Sequence, residues 1–146
     1  MSIDPEAFAN AIKATVDAAP IDGDRLNVYA MPEADPQLPA VIIHAAPDFI
    51  TYRRTFGARG VAEVRYRAEV RVAVGTDSLG ATSLIYAIAG TGTDMSLFDA
   101  LGTDATLGGV VATCIAEGFS GVTESGDAGR PYLTATLGIT VNEPRS

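Results

Sequence analysis

The side chains that most often carry out chemistry are scarce in this sequence. Its one histidine, His44, lies in the apolar run Ala40–Ala46, and its one cysteine, Cys114, lies in the apolar run Val110–Ala116. These two residues cannot supply the paired ligands of a zinc site, and a lone cysteine cannot form an intrachain disulfide. We therefore expect His44 to be a hydrogen-bonded structural residue and Cys114 to be a small buried hydrophobic residue.

The remaining polar motifs do not match a catalytic pattern either. The glycines of Gly90–Gly92 follow a predicted helix, whereas a phosphate-binding loop follows a strand and opens a helix. The segment Asp22–Asp24 is too short for a calcium loop and is typical of a turn. The sequence contains no Gly-x-Ser-x-Gly turn and no Gly-Lys-Ser/Thr loop. It thus predicts a protein that is not an enzyme, with no metal site and no cofactor.

Arginine is concentrated in one segment of an acidic chain. The net charge is −8, yet six of the ten Lys and Arg residues fall between positions 51 and 71, namely Arg53, Arg54, Arg59, Arg65, Arg67 and Arg71. Only Glu63 and Glu69 oppose them there, so this segment carries +4 and the rest of the chain carries −12. The overall sign argues against a general nucleic-acid binder. A basic strip on an acidic body can pair with copies of itself, and the alternative is a solvated strand face.

Aromatic residues are interleaved with arginines in Pro47–Gly60, which we predict to be a loop. The residues concerned are Phe49, Ile50, Tyr52 and Phe56, set among Arg53, Arg54 and Arg59. Aromatic and arginine side chains are enriched in the cores of protein interfaces. The loop is therefore a candidate contact surface, and the alternative is that Phe49 and Ile50 fold back into the core.

Two elements stand out in the pattern of apolar residues. Asp4 and Pro5 are suited to start a helix over Pro5–Ala18, whose apolar side chains recur at steps of three and four residues. In Ala62–Val74, apolar residues at even positions alternate with charged residues at odd positions. This period of two predicts a strand with one face packed on helices and the other facing water or another chain.

The remaining elements complete an α+β domain. We predict strands over Arg25–Ala30, Ala40–Ala46, Leu107–Phe119 and Pro131–Val141, a connection over Ser120–Arg130, and helices over Asp77–Ala89 and Ser96–Leu101. The apolar strand Ala40–Ala46 suits a position covered on both faces, or one docked against another subunit. The order predicts a mostly antiparallel sheet of about five strands, with the N-terminal helix and one or two further helices packed on one face. The length of 146 residues fits a single domain over 1–146, and no apolar run predicts a membrane span.

In the order of its segments and in their residue patterns, the chain resembles the tail terminator (tail completion) family of long-tailed, non-contractile bacteriophages. The likeness runs from the first helix to Val141 and is carried by short segments, namely Leu26–Tyr29, Pro39–Ile43, Asp48, Tyr52, Thr55, Ala62–Val74, Asp77–Ala89, Gly92, Ser96–Leu101, Gly108–Val111 and Tyr132–Ala135. The likeness is one of pattern, since the family has no catalytic signature.

The resemblance implies a homo-hexameric ring that caps the head-proximal end of the tail tube and ends tail polymerisation. Its partners would be copies of itself, the tail tube protein and the head-tail connector protein, and DNA would pass through the lumen without specific binding. Assembly would take place in the host cytoplasm and the product would be part of the virion, with no membrane partner. We predict that contacts with other subunits or the tube are made by Tyr52, Arg53, Arg54, Phe56, Arg59, Arg65, Arg67 and Arg71.

Two other interpretations stay open at this point. A neck or head-completion protein of the head-tail connector would have a similar order of segments and similar residue patterns, and it would dock on the portal side. A small α+β enzyme or ligand-binding oligomer would need a pocket with convergent polar groups, and the sequence identifies none.

Overall fold

The fold was analysed in a computed structural model, which describes residues 4–18, 27–32, 38–54, 60–74, 78–91, 96–102, 107, 109, 113–126 and 131–145. Within these ranges the side chains of residues 18, 52–54, 60–62, 78–79, 102, 125 and 143–145 are outside the description. In chain order the elements are α1 (Pro5–Ala18), β1 (Asn27–Tyr29), β2 (Ala40–Arg54), β3 (Gly60–Ala73), α2 (Ser78–Ala89), α3 (Leu97–Gly102), β4 (Thr113–Phe119), β5 (Thr123–Ser125) and β6 (Tyr132–Arg145).

Local sequence explains where the helices begin. Oδ1 of Asp4 accepts a hydrogen bond of 3.2 Å from the backbone N–H of Ala7, so Asp4 caps α1 as the sequence predicts. Ser96 does the same for α3, because its Oγ accepts from the backbone N–H of Asp99 at 3.1 Å. The Ser96 hydroxyl also donates to the carbonyl oxygen of Gly90 at 2.5 Å, which ties the end of α2 to the start of α3.

One sheet of six strands supports the helices, in the order β1-β2-β3-β6-β4, with β5 also paired to β6. The β1–β2 pair is parallel, and every other pair is antiparallel. Strand β3 is central, because β6 pairs with it over its whole length and β2 pairs with it at both ends. The predicted α+β class with a mostly antiparallel sheet is confirmed, and the sixth strand is the short β5 within the predicted connection Ser120–Arg130.

The largest departure from the sequence prediction is in Pro47–Gly60, where a loop was expected. Strand β2 continues through Pro47 to Arg54 and β3 begins at Gly60, so the described part of the segment is strand, with Ile50–Arg54 paired to β3, and residues 55–59 lie outside the described residues. A register shift between Ala45 and Ile50 marks a β-bulge, which accommodates Pro47 without ending the strand. The loop prediction was wrong because the residues that pair with Ile50–Arg54 are distant in sequence, and local composition does not reveal them.

Other boundaries differ more modestly. Strand β6 extends to Arg145, beyond the predicted end at Val141, because β3 continues to pair with it as far as Gly60. Strand β4 begins at Thr113, whereas Leu107, the predicted start, lies in a turn and is buried. Strand β1 covers Asn27–Tyr29 within the predicted Arg25–Ala30.

The core lies between the helices and one face of the sheet, and the alternation in β3 determines which face. Even-numbered residues from Val64 to Val72 are buried in one cluster with the inner faces of the three helices. The cluster includes Phe8, Ile12 and Val16 of α1, Ala81, Ile85 and Ile88 of α2, and Leu97 and Leu101 of α3. Ala40, Val41 and Ile42 are all fully buried, so the start of β2 is covered on both faces, the first of the two predicted alternatives.

A single hydrogen bond joins the start of α1 to the middle of β3. The Tyr66 hydroxyl donates to the carbonyl oxygen of Pro5 at 2.6 Å, and burial raises the pKa of Tyr66 well above its ordinary value. The hydroxyl therefore stays protonated and able to donate over the whole working pH range. Phe49 packs edge-on against the same ring, with a centroid distance of 5.5 Å.

We expect Tyr66→Phe to lower the free energy of unfolding by about 1–2 kcal/mol, because the Pro5 carbonyl loses its partner while the ring stays in place. The measurement is urea denaturation followed by circular dichroism. The matched control is Tyr86→Phe, since the Tyr86 side chain is 62% exposed and its substitution should change stability by less than about 0.5 kcal/mol. Equal effects of the two substitutions would contradict the role given to the Tyr66 hydroxyl.

Candidate interaction surface

The sheet face opposite the helices, which we call the open face, is polar. It carries the odd-numbered residues Glu63, Arg65, Arg67, Glu69 and Arg71 of β3, and their register partners on β2 and β6. The β6 partners include Thr134, Thr136 and Gly138, which are half-buried, and Thr140, which is buried. This face holds three of the predicted contact residues, so its charge balance decides what it can bind.

Glu69 is the centre of a hydrogen-bonded network on the open face. Its Oε1 accepts from Nε2 of His44 at 3.0 Å and from Arg71 at 2.9 Å, and its Oε2 accepts from the Thr134 hydroxyl at 3.3 Å. Burial alone raises the pKa of Glu69, but the hydrogen bonds from Arg71 and His44 outweigh it and leave the pKa below its ordinary value. The ionised carboxylate can only accept, so Nε2 of His44 carries the proton in this bond.

Arg71 is held on two sides. Its guanidinium carbon lies 4.8 Å from the centre of the Tyr132 ring, a cation–π contact, while one terminal nitrogen donates to Glu69. The Nε atom is buried and has no hydrogen-bond acceptor among the described residues. The side chain is therefore fixed by its own chain and only partly accessible to a partner.

Arg65 is also paired within the chain. It donates to Glu63 Oε1 from Nε at 2.9 Å and from a terminal nitrogen at 2.6 Å, and it forms an ion pair with Asp48. The hydrogen bond to Glu63 and the attraction of Asp48 raise the pKa of Arg65 further above its ordinary value. Because the pair is solvent-exposed, it contributes little to stability, but it neutralises the charge locally.

Arg67 is the exposed arginine of the open face that forms no ion pair with any residue in the described ranges. It lies between His44 and Gly138 in the cross-strand register. Four carboxylates, those of Asp48, Glu63, Glu69 and Glu117, share this face with the three arginines, and Glu117 accepts from the Thr140 hydroxyl at 2.6 Å. The described part of the open face therefore carries no excess of positive charge, and the basic strip that the sequence predicts is not formed there.

A second group of predicted contact residues lies at one end of the sheet, which we call the blade. It consists of Thr51–Arg54 of β2, Gly60–Glu63 of β3 and Asn142–Arg145 of β6, paired row by row. Arg54, Gly60 and Arg145 form the outermost row, and Arg53, Val61 and Pro144 form the next. The blade thus gathers three arginine positions on β2 and β6, the two strands that flank β3, together with two acidic positions, Glu63 and Glu143.

The blade includes a residue that sequence reasoning missed. Arg145 lies beyond the predicted end of the last strand, and only the pairing of Gly60 with both Arg54 and Arg145 brings it beside the predicted contacts. Adjacent strands are about 4.8 Å apart, so the backbones of Arg54 and Arg145 are separated by roughly 10 Å. Tyr52 lies in the third row of the blade, whereas Phe56 and Arg59 are outside the described residues.

The structure decides where four residues lie that the sequence left as predictions, namely Phe49, Ile50, Cys114 and His44. Phe49 and Ile50 pack against the core, so the alternative that they fold back is the correct one. Cys114 is buried, as expected, and burial raises the pKa of its thiol to about 11, so the thiolate is scarce at neutral pH. His44 is hydrogen-bonded, as expected, but it lies on the half-buried open face.

Within the described ranges, no group of three or more His, Cys, Asp and Glu side chains is placed to hold a metal ion. None of the described helices has the length and apolar character needed to span a membrane. No protein-family model matches the chain, and no curated protein matches it either.

We expect Glu69→Gln to lower the free energy of unfolding at pH 7 by about 1–3 kcal/mol, because Arg71 and His44 lose a charged acceptor. A carboxyl whose pKa is lowered by folding contributes stability above its unfolded-state pKa and loses it as pH falls through the folded-state pKa. The difference between wild type and variant should therefore shrink on acidification from pH 7 towards pH ~3. Urea denaturation across this range is the measurement.

The matched control is Glu124→Gln, since Glu124 is exposed on β5. It should change stability by less than about 0.5 kcal/mol at either pH. A Glu69→Gln effect as small as that of the control would contradict the central role of this carboxylate on the open face.

Proposed function

We propose that this protein is a structural subunit of a bacteriophage tail, forming a homo-hexameric ring that caps the head-proximal end of the tail tube. In this role it ends tube polymerisation and offers its other face to the head-tail connector protein. The proposal rests on the resemblance of the segment order to tail terminator proteins and on one feature of the fold, the blade.

The blade supports an assembly role because strand pairing brings together arginine positions that are distant in sequence. Arg53 and Arg54 are the last two positions of β2, and Arg145 on β6 lies in the same row as Arg54, with Gly60 of β3 between them, whereas the chain as a whole carries a net charge of −8. The arginines of the open face are largely matched by carboxylates of the same chain, whereas the blade has three arginine positions and two glutamate positions. A basic region on an acidic protein favours contact with acidic protein surfaces.

The net charge also suits a ring through which DNA passes. Each copy carries −8, so the assembled ring would be strongly acidic and would not retain the phosphate backbone. The role requires no reacting group, and the only described histidine is engaged by the carboxylate of Glu69. The predicted site of action is accordingly the virion tail, after assembly in the host cytoplasm.

We expect the double substitution Arg53→Glu and Arg54→Glu to reduce ring formation or tail capping roughly tenfold or more, because it reverses two basic positions of the blade. The core should be unaffected, so the circular dichroism spectrum should stay the same. The measurement is the fraction of tails of defined length in a complementation assay. Normal capping by the double variant would remove the blade from the contact surface.

Arg67→Glu serves as the companion variant because Arg67 is exposed on the open face, away from the blade. Loss of capping in Arg67→Glu alone would assign the tube contact to the open face instead. Loss in the blade variant alone would assign it to the blade.

The proposed function itself is tested by locating the protein on particles. Electron microscopy of tails carrying a labelled chain should place a sixfold ring at the head-proximal end, and the purified ring should have about six times the 15.1 kDa mass of one chain. Label on the portal side of the neck would favour a head-completion protein. Particles without label at either place would overturn the proposal.

A further inference from the structure

We draw no further inference here: the strongest candidate, the uncharged outer side of α2 around the exposed Tyr86, is an unpartnered helix face, and nothing in the structure shows what covers it.

Discussion

The structure depends on the two-sided pairing of β3 and on the alternation of its side chains. Strand β6 pairs with β3 from Gly60 to Ala73, and β2 pairs with it on the other side around one bulge. Pairing fixes the strand in the middle of the sheet, so its even residues must face one layer and its odd residues the other. The helices cover the even face because only that face offers a continuous apolar surface.

The odd face of β3 shows that charge in a sequence segment is not the same as charge on a surface. Arg65 and Arg71 come from the most basic part of the chain, yet each is paired with a glutamate two residues away on β3, and Arg65 is also paired with Asp48 of β2. The carboxylate of Glu69 accepts hydrogen bonds from side chains on three strands, β2, β3 and β6. Apart from Arg67, the arginines of this face are matched by carboxylates of the same chain, which leaves the blade as the more distinctive feature for recognition.

The blade follows from strand length more than from any motif. Strands β2, β3 and β6 have 15, 14 and 14 residues, well beyond the typical ~5–6 residues, and the far ends of β2 and β6 carry arginine positions past the row of Val64. Strand pairing holds the backbone positions of these arginines in register. This is why a protein with few chemically reactive residues can still present a specific surface.

Sequence alone determined the features that depend on neighbouring residues. The cap at Asp4, the bounds of α1, the alternation of β3, the burial of Cys114 and the α+β class all follow from local spacing and were predicted correctly. Tertiary structure decided what depends on distant residues. It made a strand of Pro47–Arg54, paired Arg65 with Asp48, and brought Arg145 beside Arg54 through Gly60. The physical reason is that strand pairing and ion pairing join residues across the chain, and no local pattern records their partners.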